Sequence, residues 1–378
     1  MVIVFGAARI VTTLMMLVLA AAQEENAWTG ASPRYLDFAS MWDGRWYNIV
    51  AVAAYPSELP LTEDGHVGEN AWAFMPVYPL VVRVVMLLTG AEWALAAVAV
   101  SVLAGFGAAL VTYRLFRERL DPGTSLFGVV IFSAGPVSPI LQVAYAEPLQ
   151  ILLLSTALLL LVRRRYGLLI PVVVVLGLTR PTGLAFALLL VLHVVVRIVR
   201  RARDPFRPGE LPVAIGATAA SGLVGLAWPA AAWAVTGSIT AYTDTELAWR
   251  APYIGYQHLI PFTPWIQGFD WWFGSPWGVL LLAALVVGFT LVLLSRPVRA
   301  LGIDVRLWLA SYALYLLAVF FPQSSTFRLL VPMFPLAGAL AAPRSWVYRI
   351  LLVCAATALQ WVWLLIAWRV DGYDWTPP

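Results

Sequence analysis

The sequence predicts an all-α polytopic membrane protein, and three observations carry that prediction. The chain has 378 residues, of which 61% are hydrophobic and 12% charged, and a soluble domain carries roughly twice that charge fraction. Apolar runs long enough to cross a bilayer recur from one end of the chain to the other, and the mean hydropathy is +0.83. The arginines, which are the whole of the basic complement apart from three histidines, are distributed unevenly among the segments that join those runs. The lone cysteine, Cys354, lies inside the last apolar run, which excludes a disulfide framework or a cysteine metal cluster. His66, His193 and His258 are scattered without metal-ligand spacing, so no metal is implied.

The first apolar run covers 2–22 and reads as an anchor, although its Ala20-Ala21-Ala22 end resembles a signal-peptidase site. Further spans are predicted near 93–113, 124–141, 148–162, 166–179, 183–199, 211–235, 277–295, 307–321, 327–342 and 348–368, eleven with the first. The segment 75–89 is too short for a crossing, is opened by Pro76 and Pro79, and carries Arg83 in its middle. It reads as an interfacial or re-entrant helix.

With 75–89 left uncrossed, seventeen of the 24 arginines fall on one side. They include Arg9, the 114–119 and 163–165 groups, the 197–207 cluster, and those at 296–306 and 344–349. Only five of the 20 acids accompany them. That bias predicts a plasma-membrane protein with a cytoplasmic N-terminus. The exceptions, Arg34, Arg45, Arg83, Arg180, Arg250, Arg328 and Arg369, sit outside or at membrane depth, where a charge is usually held for a reason.

One membrane domain, 1–378, accounts for the chain, with two long extracytoplasmic loops at 23–92 and 236–276. The stretch 23–74 holds eight acids and two arginines. Both loops are rich in Trp, Tyr and Pro. An aromatic belt explains part of this, and aromatic faces able to stack on the C–H face of a pyranose explain the rest. No internal repeat is evident, which weighs against a transporter built from inverted halves.

The sharpest local feature is Met41-Trp42-Asp43-Gly44-Arg45-Trp46-Tyr47. An acid set among aromatics beside a flexible glycine at the membrane surface is placed to take a proton from a hydroxyl; the ordinary alternative is a solvated loop carboxylate. Phe74-Met75-Pro76-Val77-Tyr78-Pro79, Ala144-Tyr145-Ala146-Glu147-Pro148 and Arg180-Pro181-Thr182-Gly183 follow, each at an expected extracytoplasmic end. Glu147 and Arg180 flank successive ends and can pair, which is equally what a structural salt bridge requires.

In order, Trp42-Asp43-Gly44-x-Trp46-Tyr47, the Phe-x-Pro-x-Tyr-Pro run, the Ala-Tyr-x-Glu-Pro run and Arg180-Pro181-x-Gly183 resemble the PIG-V type of mannosyltransferase. That family adds the second mannose to glycosylphosphatidylinositol in eukaryotes and has bacterial members. The motifs cover the N-terminal half of the chain, and the architecture its whole length. The resemblance implies the C-type glycosyltransferase (GT-C) fold, with a polyprenyl-phosphate-mannose donor, a glycolipid or glycan acceptor, an active site on the extracytoplasmic face, and no cofactor. It makes Asp43 the candidate base. The insertion Ser57 to Glu69 departs from the family pattern, so acceptor contacts do not carry over.

No Asp-x-Asp pair, glycine-rich phosphate loop or dinucleotide-binding unit occurs, which leaves nucleotide-sugar chemistry without a site, and nothing points to nucleic acid. A lipid phosphate leaving group calls for fixed positive charge. Arg328 is the first candidate, followed by Arg250 and His258, with Trp42, Arg45, Trp46, Tyr47, Tyr78, Tyr145, Glu147 and Arg180 as supporting residues. Arg45 or Arg83 are alternatives for orienting Asp43. The competing readings are a GT-C enzyme for another polyprenyl-phosphate sugar, such as arabinose or glucose, a flippase or transporter of lipid-linked saccharide, and a non-catalytic subunit of a glycosylation complex.

Overall fold

The computed structural model describes residues 1–371 and 377–378, and within them the regular secondary structure is helical apart from one isolated bridge. The principal helices are α1 (Val2–Ala21), α2 (Asp43–Ala53), α3 (Val77–Thr89), α4 (Trp93–Arg117) and α5 (Pro122–Ala134). They continue as α6 (Glu147–Val162), α7 (Tyr166–Gly177), α8 (Gly183–Val199), α9 (Glu210–Thr236) and α10 (Ala241–Ala248). The last four are α11 (Thr263–Phe273), α12 (Trp277–Leu294), α13 (Ile303–Val319) and α14 (Trp346–Ala367). Five of these, α1, α4, α9, α12 and α14, are long and apolar enough to cross a bilayer. Most of the other expected spans are present as shorter apolar helices.

Helix ends follow local chemistry. Asp121 caps α5, accepting from Thr124 N at 3.1 Å and from its hydroxyl at 2.7 Å, with Pro122 in the first turn. Gly90 and Gly237 end α3 and α9 in the left-handed conformation that a Cβ disfavours. Helices α4 and α6 pack together, and α7, α8, α9 and α13 extend that layer. The chain termini close the other side, with α1 and α14 both lying on α5. There Thr12 donates to Gln360 at 2.7 Å.

The 327–342 span is corrected by the structure. Instead of one helix there are three short pieces, Thr326–Leu329, Val331–Met333 and Leu336–Leu340, broken at Pro332 and Pro335. Carbonyls freed by the break need partners away from water. Trp308 Nε1 donates to Pro332 O at 2.9 Å, and the Tyr312 hydroxyl to Leu329 O at 2.7 Å. The 124–141 span is likewise interrupted, since α5 stops at Ala134 and a 3-10 turn covers Ser138–Gln142.

Arg9 is also corrected. It is buried midway along α1 and is no loop arginine. Its guanidinium donates to Ser133 O and Ser138 O at 2.6 Å each, and to Gln142 Oε1 and Ser138 Oγ at 3.1 Å each. It therefore satisfies the interrupted end of α5 instead of marking a membrane side. Arg9→Met is expected to destabilise the solubilised protein by about 2–4 kcal/mol, because buried acceptors lose their donor. Cysteine-accessibility labelling should show its loops on unchanged sides. Inverted labelling would restore Arg9 to the topology signal.

The two ends of the bundle differ in chemistry. At the arginine-rich end, Arg163 meets Glu118 at 2.7 Å, Arg164 grips Asp204 through two 2.6 Å hydrogen bonds, and Arg344 approaches Asp121 at 3.5 Å. The opposite end holds the aromatic loops. Helix α3 returns there: Tyr78 near its start bonds to Ala97 and Ser101, one to two turns inside α4, while its other end leads straight into the first residue of α4. It folds back along the start of α4.

Candidate functional site

The four sequence motifs, separated by as many as 141 positions, meet at the aromatic end. Gly44 of the first motif packs against Ala144 of the third so closely that an added Cβ would lie 3.2 Å from the Ala144 Cβ. Next to it, Ala144 N donates to Ala39 O at 2.9 Å. Tyr78 of the second motif bonds to Ser101 at 3.0 Å, and that hydroxyl donates to Tyr145 O of the third at 3.2 Å. Val77 N donates to Leu178 O, two residues before Arg180 of the fourth motif. Gly183 lets α8 cross α9 at backbone contact, since a Cβ there would meet the Gly225 Cα at 2.8 Å. The motif glycines at 44 and 183 are thus required by close approach.

At this convergence four charges alternate. Arg328 Nη1 donates to Asp43 Oδ2, and Arg180 Nη2 to Glu147 Oε1. Arg328 Nε lies 3.5 Å from that same Glu147 oxygen, which joins the two pairs. Glu147 is 1% exposed and both arginines are buried, while Asp43 remains partly accessible. Two positive and two negative charges neutralise one another where water is scarce. Tyr145 supports the group from beneath: its hydroxyl accepts from Asp43 N at 3.3 Å, and the Arg328 guanidinium lies 5.1 Å from its ring centroid.

Asp43 opens α2 directly after Trp42, whose φ of 57° is unusual for a residue with a side chain. The Trp42 ring, 4% exposed, packs 4.8 Å from Trp28. Several buried polar atoms of this region have no hydrogen-bond partner among the described residues: Trp42 Nε1, the Tyr47 hydroxyl, Glu147 Oε2 and Trp249 Nε1. Buried donors and acceptors are normally paired, so this concentration marks capacity for a polar ligand. Trp46 stacks on Phe74 at 5.5 Å and meets Trp249 edge-on at 5.8 Å, which carries the aromatic wall into the second long loop.

Other expected residues lie elsewhere. Arg45 is turned away from Asp43, over the Trp28 ring at 5.0 Å and onto the Trp28 carbonyl. Arg83 is exposed and makes no ion pair among the described residues. Neither orients Asp43. Arg250 donates to Val319 O, and His258 is exposed without a hydrogen bond to the charged group. Helical spacing accounts for Arg250: it lies one turn beyond Glu246, and burial holds the Glu246 carboxyl above the usual carboxylate range while lowering the Arg250 guanidinium. Glu246 was not singled out by the sequence; its four-residue spacing from Arg250 was the only available signal.

The insertion also has a structural role. It carries an antiparallel bridge between Leu61 and Val67, and His66 stacks on Tyr256 of the second loop at 4.1 Å. Asn70 donates to Thr245 at 2.8 Å. The two long loops are thereby strapped together.

A second polar network, at the arginine-rich end, engages a histidine that the sequence left unassigned. His193 bonds to Asp304 at 2.6 Å and to Tyr166 at 2.7 Å, and Arg197 joins Tyr166 to Glu210. Ionisable groups therefore collect at both ends of the bundle. Comparison of the chain with protein-family models and with curated proteins finds no match. The family resemblance stands on the four motifs.

Proposed function

We propose that this protein is a membrane glycosyltransferase of the GT-C type, moving mannose from a polyprenyl-phosphate-mannose donor to a glycolipid or glycan acceptor on the extracytoplasmic face. One observation carries the reading: Asp43 and Arg328, 285 positions apart, are hydrogen-bonded to one another in a buried cluster built from the motifs. A carboxylate and a guanidinium at bonding distance are the two groups that transfer from a lipid phosphate requires. They are in direct contact, so a sugar phosphate is held between them only once the pair separates.

In this mechanism an acceptor hydroxyl gives its proton to Asp43 as its oxygen attacks the anomeric carbon. The anomeric C–O bond to phosphate breaks, and the bonding pair leaves with the polyprenyl phosphate. One displacement inverts the centre, turning a β-linked donor into an α-mannoside. Arg328, with Nη1 on Asp43 and other N–H groups to spare, meets the charge that develops on the leaving phosphate. Entry of the phosphate draws the guanidinium from the carboxylate and releases Asp43 for the proton. Glu147 and Arg180 hold Arg328 in place.

The arginine bias of the opposite end supports a cytoplasmic assignment for that end and an extracytoplasmic one for this cluster. The flippase reading gains less: the described ion pairs gather near the two ends, and Arg9, buried between them, is bonded to neutral acceptors alone.

The direct test is turnover of purified polyprenyl-phosphate mannose by the protein in liposomes, with the anomeric configuration of the product read by NMR. An α-linked product supports the scheme and a β-linked product overturns it. Donors carrying arabinose or glucose, run in parallel, identify the sugar. Arg328→Ala is expected to lower turnover by about 10²–10³-fold, with Arg328→Lys recovering part. Equal activity in both variants and wild type removes Arg328 from the donor site.

A further inference from the structure

The second long loop ends in α11, and one side of that helix is apolar and exposed. Ile266 and Phe273 are exposed, and Phe269, half-buried, lies between them at helical spacing. Gln267, on a neighbouring face, donates to Gln257 at 2.8 Å, so α11 has a polar side as well as an apolar one.

Helix α12 fixes where the apolar side lies. Only Gly274, Ser275 and Pro276 separate the two helices. An added Cβ on Gly278 would lie 2.6 Å from the Phe269 carbonyl carbon, so the helices touch backbone to backbone. Helix α12 has 18 residues, about 27 Å of rise against a hydrocarbon core of about 30 Å. It is exposed almost throughout and has no length to spare, so its first residue, Trp277, sits at the outer boundary of the hydrocarbon. Helix α11, packed on that turn, sits at the same depth.

The other side of α11 grips the chain that leads to Arg328. Helix α13 ends at Val319, and the last carbonyls of a helix lack partners within it. Trp265 Nε1 donates to Leu316 O at 2.8 Å, and Phe262 N, at the start of α11, donates to Ala318 O at 3.0 Å. Trp272 Nε1 donates to Pro322 O at 3.0 Å, and Arg250, earlier in the loop, to Val319 O. An added Cβ at Gly268 would overlap the Pro322 ring, so the two segments are in direct contact. Arg328 follows six positions after Pro322.

We propose that α11 lies in the plane of the outer leaflet and holds the Arg328 segment at the depth of the lipid headgroups. The partner is the bilayer itself: the exposed stripe is aliphatic and aromatic, carries no charge, and continues the lipid-facing surface of α12. What that depth means for a lipid-phosphate donor rests on the transferase reading. The placement does not.

The test is spin-label accessibility in the full-length protein, reconstituted in nanodiscs of phosphatidylcholine and phosphatidylglycerol. With Cys354→Ser as background, a nitroxide is attached to Ile266→Cys, Phe273→Cys or Gln257→Cys. The labels at 266 and 273 are expected to collide more with oxygen than with a nickel chelate, and the label at 257 the reverse. Nickel-accessible labels at 266 and 273 overturn the inference. So do labels shielded from both reagents, which would mean that a second copy or another protein covers the face. A nitroxide on Phe327→Cys, an exposed position beside Arg328, reads the grip. Trp265→Phe combined with Trp272→Phe keeps aromatic rings but removes both indole donors, and is expected to free that label and shift its depth. Unchanged mobility and depth in the folded variant overturn the holding role. A lipid-embedded α11 and an intact grip in a protein that transfers no sugar would leave the inference standing and remove the transferase reading.

Discussion

Asp43→Asn is expected to lower transfer from polyprenyl-phosphate mannose by about 10²–10⁴-fold, the usual contribution of a positioned general base. The substitution keeps the size of the side chain and an oxygen able to accept from Arg328, so the cluster retains its shape. What it removes is the capacity to receive a proton as the acceptor oxygen attacks. The loss should therefore fall on kcat, with the donor KM changed little, because Asp43 acts on the acceptor side. Thermal unfolding of the detergent-solubilised variant should stay near wild type. Retention of more than a tenth of wild-type kcat would assign the base to another group. A raised donor KM at full kcat would make Asp43 a binding residue.

The largest stability effect is expected at Glu147. Both Arg180 and Arg328 lean on a single oxygen of this carboxylate, which is 1% exposed. Glu147→Ala would leave Arg180 buried without its hydrogen-bonded partner and Arg328 with Asp43 alone. Removing one member of a buried pair typically costs about 3–5 kcal/mol, because the remaining charge is uncompensated. Glu147→Gln keeps an acceptor and should cost less. The double variant Glu147→Leu with Arg180→Leu should recover part of the loss, since neither charge is then left alone. Unfolding measured by tryptophan fluorescence in detergent tests the order: Ala worst, then Gln, with the double variant above Glu147→Ala. A single variant within 1 kcal/mol of wild type would mean that the cluster is hydrated and the pairing marginal.

Much of this architecture was legible because lipid imposes strong rules on a sequence. A segment that must hide its backbone becomes an apolar helix, so α1, α4, α9, α12 and α14 follow from composition and length. Helix α3 was legible as a short apolar helix, with prolines at its start and Arg83 in its middle. The stretch 327–342 was not. Its apolar content reads as a span, whereas its prolines break it, and the break is tolerated only because Trp308 and Tyr312 reach across from α13 to bond its carbonyls. Such partners are distant in the chain, and no local pattern announces them.

Arg9 shows the same limit. Counted by position it belongs with the positive-inside arginines, but in the structure it bonds to an interrupted segment more than 120 residues away.

The sequence by itself determined that this chain lives in lipid, which segments are apolar enough to cross, and which short motifs carry unusual charge, because hydropathy and glycine or proline placement act locally. Only the tertiary structure decided which charges meet. It paired Arg328 with Asp43 instead of Arg45 or Arg83, and joined Glu147 to two arginines. The physical reason is range. A helix forms from neighbours a few residues apart, whereas an ion pair at membrane depth forms wherever packing brings opposite charges together out of water.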